Sequence, residues 1–293
     1  MKKLAYFTFT VENTEITFYY QENMILKNRW SGSSLHMHPL HELFVLIDGS
    51  ATIYGDTESV ALSKNDVCIL PPRYMHTVTP EEENPRRVAL WFTYRKIRQS
   101  NSDFDFYALI QALSSQNIPL RFHAGKTMVY MLTDILSTTS GNRLTNINEI
   151  RLRNLFSLLF IQLTECLPAP CEGGEEQYPK GRDYYLRLVQ IDQMLFDWMC
   201  RNRIVEDMAK ELFLSPRQLS NIFCNEFGMS MKTYSYTLRI HHAAHLLTRT
   251  DMAIAEIAES VGYGSSEIFS IMFRRYFGMT ASEYRKMKRQ ELT

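Results

Sequence analysis

The chain has 293 residues, 45% of them hydrophobic and 22% charged, with 32 Lys/Arg balanced by 32 Asp/Glu. That length exceeds what one hydrophobic core usually supports, so two domains are expected. No apolar run reaches membrane-spanning length, and Cys68, Cys166, Cys171, Cys200 and Cys224 show no close metal-ligand pairs, which argues against a membrane protein or a zinc cluster. An odd cysteine count without a secretory signal predicts reduced, mostly buried thiols in a cytoplasmic protein.

The first third has strand character. Segments 43–49, 51–55, 58–72 and 86–94 are short, rich in Val, Ile, Phe and Tyr, and punctuated by Gly, Pro, Asn and Asp. They predict an all-β barrel or sandwich of jelly-roll type over residues 1–100. Within it, His36, His38 and Glu42 precede Gly49, and His76 follows the Pro71-Pro72 pair. The spacing resembles the cupin motifs. In metal-binding cupins the matching positions converge on one divalent ion, because alternate residues of a strand face one side and imidazole with carboxylate suits Fe, Mn, Ni or Zn. The same resemblance also allows these residues to be polar groups of a metal-free effector pocket, or structural groups at the barrel mouth. Trp30, Tyr54 and Trp91, with Phe44 and Tyr94, are candidates to line the barrel and stack on a sugar or another small effector, against the plainer reading of each as ordinary core. His41 follows a proline turn and is expected at the surface.

Residues 103–116, 126–139 and 147–167 turn to apolar spacing of three and four, predicting helices. The last carries Ile150, Leu155, Leu158, Leu159 and Ile161 on a broad apolar surface that needs cover, both from the barrel and from a second copy across a two-fold axis. Residues 101–167 are thus expected to be a helical dimerisation segment. A Pro/Gly/Glu stretch, 168–182, reads as a linker.

From residue 183 onward the chain repeats itself. At an offset of 50, Leu219 matches Phe269, Phe223 matches Phe273, Phe227 matches Phe277 and Gly228 matches Gly278. One supersecondary unit used twice, each a short helix, a turn and a glycine-ended helix, has the form of a double helix-turn-helix. Ser215-Pro216-Arg217-Gln218 reads as a capping box, and Thr280-Ala281-Ser282-Glu283 as another. With Leu219, Phe223 and Phe227 inward, Arg217, Gln218, Ser220 and Asn221 are left for DNA; Ser265, Ser266 and Glu267, with Ile268 and Ile271, occupy the corresponding end of the second unit. Arg274, Arg275, Arg285, Lys286, Lys288 and Arg289 supply a basic end, with Arg274 and Arg275 as phosphate contacts. This matters because residues 183–293 are close to charge balance even with these counted, 14 Lys/Arg against 13 Asp/Glu. A linking helix through Tyr236, Ile240, Ala243, Ala244 and Leu247 is long enough to hold two recognition helices in successive major grooves. Its His241 and His245, at i and i+4, are read as surface or phosphate-facing groups ahead of a metal pair.

These residues, Ile257-Ala258, Val261-Gly262-Tyr263, Phe273 through Thr280 and Ser282-Glu283-Tyr284-Arg285, with Arg239, Ala243, Leu246 and Leu247, resemble the AraC/XylS family of transcriptional regulators over about residues 183–290. The resemblance implies a multi-domain α+β protein with a cupin-like sensor, a dimerising segment and an all-α DNA-binding domain over 183–293. It would be a homodimer responding to a small molecule and, if an activator, meeting RNA polymerase. Two departures stand out: Ala281 replaces the usual proline, and Ile271 replaces a polar residue, so the first recognition helix is expected to carry more of the base readout. The alternative is a metal-dependent cupin enzyme, an isomerase or dioxygenase, that also binds DNA.

Overall fold

In the computed structural model the described residues are 4–21, 35–55, 58–82, 85–97, 105–114, 118–138, 145–164, 180–198 and 204–291. They group into two compact units. One comprises Met1–Gly32 with Met37–Gln190, the other Ser33–His36 with Ile191–Thr293.

The first unit is built on two sheets. Strands β1 (Leu4–Val11), β2 (Thr14–Gln21), β3 (His41–Asp48), β6 (Asp66–Leu70), β8 (Arg86–Lys96) and β9 (Leu120–His123) form a six-stranded sheet in the order β1-β2-β8-β3-β6-β9. Strands β4 (Ala51–Tyr54), β5 (Ser59–Leu62) and β7 (Thr77–Pro80) form a second sheet, β5-β4-β7. Every described pairing is antiparallel. Among the described residues no ladder joins the two sheets, so of the barrel and the sandwich that the sequence allows, they form the sandwich and no closed barrel.

Strict alternation in β1 separates two faces. Phe7 and Phe9 stack with Phe18 on the outer face, where Phe156 from helix α3 (Asn146–Thr164) closes on them at 4.6 Å from Phe18 and 5.2 Å from Phe9. On the inner face, Phe44, Leu46, Cys68, Leu70 and Ala89 pack against Ala51, Ile53, Leu62 and Val78 of the small sheet. Gly49, at φ 84°, makes the tight turn from β3 into β4 with the Pro85 Cβ 3.1 Å from where its own would stand. The stretch 58–72, read as one segment, is two strands, broken where Asn65 takes φ 68°.

Helices α1 (Phe106–Ser114) and α2 (Gly125–Thr138) appear where the sequence periodicity puts them. Residues 120–123 do not follow it. They form β9, held to the sheet by Asp66, which is fully buried and accepts from Arg121 Nε at 2.9 Å while His123 Nδ1 lies 2.9 Å from its other oxygen. The apolar surface of α3 divides: Leu152, Leu155, Phe156 and Leu159 are buried, whereas Ile150 and Leu158 are 49% and 57% exposed. His41, expected at the surface, is 1% exposed and stacked on Phe92 at 5.1 Å, because it opens β3 on the outer face rather than standing outside the sheet. Of the cysteines, Cys68 is buried and Cys224 exposed, correcting the expectation of mostly buried thiols for these two. Burial pushes the Cys68 thiol pKa far up. Cys166, Cys171, Cys200, Trp30 and residues 168–179 of the expected linker lie outside the described residues.

Helix α4 (Arg182–Trp198) contributes residues to both units. The second unit continues with α5 (Ile204–Glu211), α6 (Pro216–Phe227), α7 (Met231–Arg249), α8 (Ile254–Ser260), α9 (Ser266–Phe277) and α10 (Ala281–Glu291). Its core gathers Ile240, Ala243, Ala244 and Leu247 from α7 with Ile257, Val261, Phe269 and Phe273.

Candidate functional site

The two helix-turn-helix units are α5–α6 and α8–α9, joined by the 19-residue α7, about 28 Å long. Local chemistry fixes the start of each second helix. Ser215 accepts from the Gln218 amide at 3.2 Å while Gln218 Oε1 accepts from the Ser215 amide at 2.9 Å, with Pro216 at the first helical position. Ser265 accepts from the Ile268 amide at 3.3 Å and donates to Glu267 Oε2 at 2.5 Å. Both helices end on a left-handed glycine, Gly228 at φ 74° and Gly278 at φ 73°. Thr280 and Glu283 cap α10 reciprocally, at 2.8 and 3.3 Å.

The two turns differ. The first helix of each unit ends in the same pair of hydrogen bonds, Phe213 to Lys210 and Leu214 to Ala209 in one, Gly262 to Glu259 and Tyr263 to Ala258 in the other. The left-handed residue is therefore Phe213, at φ 55° and 96% exposed, against Gly262 at φ 85°. One residue, Leu214, then precedes the Ser215 cap, whereas Tyr263 and Gly264 precede Ser265.

Arg217 and Asn221 are exposed on α6. Ser220 is half-buried and its hydroxyl donates to the Pro216 carbonyl at 2.8 Å, and Gln218 is engaged in the cap. On α9, Ser266, Glu267, Ile268 and Ile271 are exposed, the isoleucines at 56% and 66%, and the hydrogen bond from Ser265 holds the Glu267 carboxyl below its usual pKa. Arg274 and Arg275 are exposed in the last turn. Arg285 and Arg289 are not part of a free basic end. Arg285 donates to the Leu247 and Met252 carbonyls at 3.2 and 2.6 Å, and Arg289 to the Thr250 carbonyl at 2.5 Å, so both finish the C-terminal end of α7. His241 stands edge-on to Tyr276 at 4.8 Å and Phe277 at 5.4 Å, and burial lowers its pKa to about 4. It is an aromatic packing residue, and among the described residues it belongs to no metal-binding group.

The other site lies on the inner face of the large sheet. Cross-strand pairing sets Tyr6, Tyr19, Trp91 and Glu42 in one row across β1, β2, β8 and β3. Glu42 Oε2 is 3.1 Å from His38 Nε2 and 3.3 Å from His76 Nε2, all three side chains being buried. Burial alone would raise the Glu42 pKa, but the charges and hydrogen bonds of His38 and His76 together outweigh it and hold the carboxyl well below its usual range. His76 Nδ1 lies 2.9 Å from the Tyr74 carbonyl, which can only accept, so Nδ1 carries the proton. That leaves Nε2 facing the Glu42 carboxylate. Three histidines and a carboxylate suit a divalent ion, and one ligand atom from each of His36, His38, Glu42 and His76 lies within 4.8 Å of the others. Trp91 stands edge-on to His38 at 5.4 Å. His36 is half-buried, and Tyr54, at the end of β4, is 46% exposed.

The face continues as a polar row that no motif in the sequence marks. Thr8, Thr17 and Thr93 form the next row, and beside them is a cavity of about 290 Å³ reached also by Lys180, Arg182 and Tyr185. The alternation of β1 and β2 was a signal for these strands. Nothing local shows which strands become neighbours.

A family model described as an AraC-like ligand binding domain matches residues 20–165, and one described as a helix-turn-helix domain matches residues 208–287. The Msm operon regulatory protein of Streptococcus mutans serotype c is 33% identical over 247 residues, covering 82% of this chain and 82% of that protein. The lactose operon transcription activator of Staphylococcus xylosus is 34% identical over 116 residues, covering 38% and 42%. Among solved structures, ToxT from Vibrio cholerae O395 is similar over 97% of both chains at 14% identity and a TM-score of 0.35. With both family models matched in chain order and a relative shared over four-fifths of its length, the chain belongs to the AraC family of transcriptional regulators, not to a family of enzymes.

Proposed function

We propose that this regulator is an activator that senses a small metabolite, a sugar or a related compound, and binds two successive major grooves through α6 and α9. The observation that carries the reading is the pair of helix-turn-helix units, capped alike at either end of α7 and presenting Arg217 and Asn221 on one helix and Ser266, Glu267 and Ile271 on the other. The relatives support the metabolite class, since their names refer to msm and lactose operons. In this reading residues 1–100 are a cupin-like sensor, 101–167 pair two copies of the chain through Ile150 and Leu158, 168–182 link, and 183–293 bind DNA in the cytoplasm and meet RNA polymerase.

The sensor works through the inner face of the large sheet, with Glu42, His38, His76 and Trp91 at its centre. A divalent cation held by His36, His38, Glu42 and His76, with the Nδ1 proton leaving Nε2 of His76 as the ligand atom, would supply a Lewis-acid anchor for an oxygen of the effector. Sequencing genomic fragments retained by the purified protein, followed by footprinting, tests the main reading. Protection of two patches on one face of the duplex, centred about 10–10.5 base pairs apart, is the expected result. Retention of fragments without a shared sequence would overturn it. Metal analysis before and after chelation tests the cation.

A further inference from the structure

The inner face of the six-stranded sheet changes character beyond Trp91. Toward β1 and β2 its side chains become hydroxylated: Thr8, Thr17 and Thr93 are paired in one row and Tyr19 stands in the next. Thr17, Tyr19 and Thr93 are buried, so they form a floor. Burial pushes the Tyr19 hydroxyl pKa up to about 12, which keeps it a neutral hydrogen-bonding group. The cavity above this floor, about 290 Å³, is at the lower end of the size range of small-molecule sites.

Its rim is charged. Arg95, Lys180 and Arg182 supply three positive charges and Glu15 one negative, a formal excess of two. Each cation is held in place: Arg95 Nε lies 2.6 Å from Glu15 Oε1, the Arg182 guanidinium lies over the Tyr6 ring at 4.4 Å, and Lys180 Nζ lies over the Tyr184 ring at 4.0 Å and donates to the Tyr184 hydroxyl at 2.8 Å. Asp183 comes within 3.9 Å of Arg182 but is 93% exposed. Aromatic faces position a cation without neutralising it, and the rim therefore favours an anion over a neutral ligand. The floor is also wired to α4. Tyr19 donates to the Arg182 carbonyl at 3.4 Å, and the Tyr185 hydroxyl accepts from the Lys180 amide at 3.1 Å, so an occupant bears on the first turn of a helix whose later residues belong to the DNA-binding unit.

We infer that this cavity binds a polyhydroxylated anion, its hydroxyls against Thr8, Thr17, Tyr19 and Thr93 and its phosphate or carboxylate among Arg95, Lys180 and Arg182. The inference rests on the reading above that the inner face is the sensor, and gives that sensor a ligand class. Binding works through charge at an exposed rim, so it weakens as salt is added.

Calorimetric titration of the full chain with glucose 6-phosphate, gluconate and glucose tests this. The charged compounds are expected to bind at least tenfold more tightly than glucose, and their ranking separates a phosphate site from a carboxylate site. In the double variant Lys180→Ala/Arg182→Ala, both exposed positions, the preference is expected to fall below threefold with thermal stability kept. The inference is overturned if glucose binds as tightly as its phosphate, if the double variant keeps the preference, or if none of the three compounds binds. Glucose binding that is lost in Trp91→Ala, with no preference for charge, would overturn this inference and leave the sensor reading standing. Silence of all three compounds in wild type and in Trp91→Ala alike would remove support from both.

Discussion

Arg239 Nη1 donates to the Gly262 carbonyl at 2.9 Å, joining the middle of the linking helix to the turn of the second helix-turn-helix. Arg239 is 8% exposed, so this charge-assisted bond is made largely away from water. Arg239→Ala is expected to lower unfolding free energy by about 1.5–3 kcal/mol. It should also weaken DNA binding more than Arg217→Ala does on random sequence, since the turn sets where α9 begins. Urea denaturation with a binding titration measures both, and a stability change within 0.5 kcal/mol would show that the bond is dispensable.

Base readout by the first unit rests on Arg217 and Asn221. Arg217→Ala should cost about 1–3 kcal/mol on the cognate site and less on random DNA, because a guanidinium reads guanine O6 and N7 together. Equal losses on both, measured by competition titration, would identify Arg217 as a phosphate contact.

Arg274 and Arg275 are exposed in the last turn of α9. Replacing both by alanine should weaken binding to every sequence and reduce the slope of log K against log salt by up to ~2. A slope equal to wild type would remove both from the phosphate interface.

His241 gives the DNA-binding unit an acid-sensitive core. Its folded pKa is about 4, lowered by burial from 6.5. Below 6.5 the unfolded chain takes up a proton that the folded chain refuses, so stability falls as pH drops from 6.5 toward 4, by up to about 3 kcal/mol. His241→Phe should flatten this part of the profile and keep the edge contacts to Tyr276 and Phe277. Denaturation midpoints at pH 7 and 4.5 decide it; parallel profiles for variant and wild type would reject the assignment.

Glu42→Gln retains shape and removes the charge between two buried histidines. It is expected to destabilise the first unit by about 3–5 kcal/mol and to lower any bound divalent metal. Wild-type stability and metal content in this variant would exclude a charged role at the centre of the inner face.

The DNA-binding unit was legible because its signals are local. Capping boxes, terminal glycines and a phenylalanine every fourth residue lie within single helices, and Leu219, Phe223, Phe269 and Phe273 are all buried. The bonds of Arg285 and Arg289 to carbonyls about 35–40 residues away are tertiary, so a count of charges took both for surface cations. His38, Glu42 and His76 could be grouped because a turn spacing brings them near one strand. The floor of Thr8, Thr17 and Thr93 could not, since it depends on β8 pairing between β2 and β3, an order that no single segment encodes. Residues 120–123 fall between two expected helices with no strand signal of their own for the same reason: four residues become a strand only because β6 offers an edge and Asp66 an anchor.

The turn that holds Phe213 has a consequence for how the two halves of the repeat can be exchanged. The second unit carries one more residue between its left-handed position and its cap, and that residue lies in the turn, where one residue adds up to about 3.3–3.6 Å of chain. A recognition helix exchanged from its cap onward would take the recipient's turn, whereas one exchanged with its turn would be set at a different distance from the first helix. The capped helix is the portable part of the repeat, and the turn is the part that fixes where it sits.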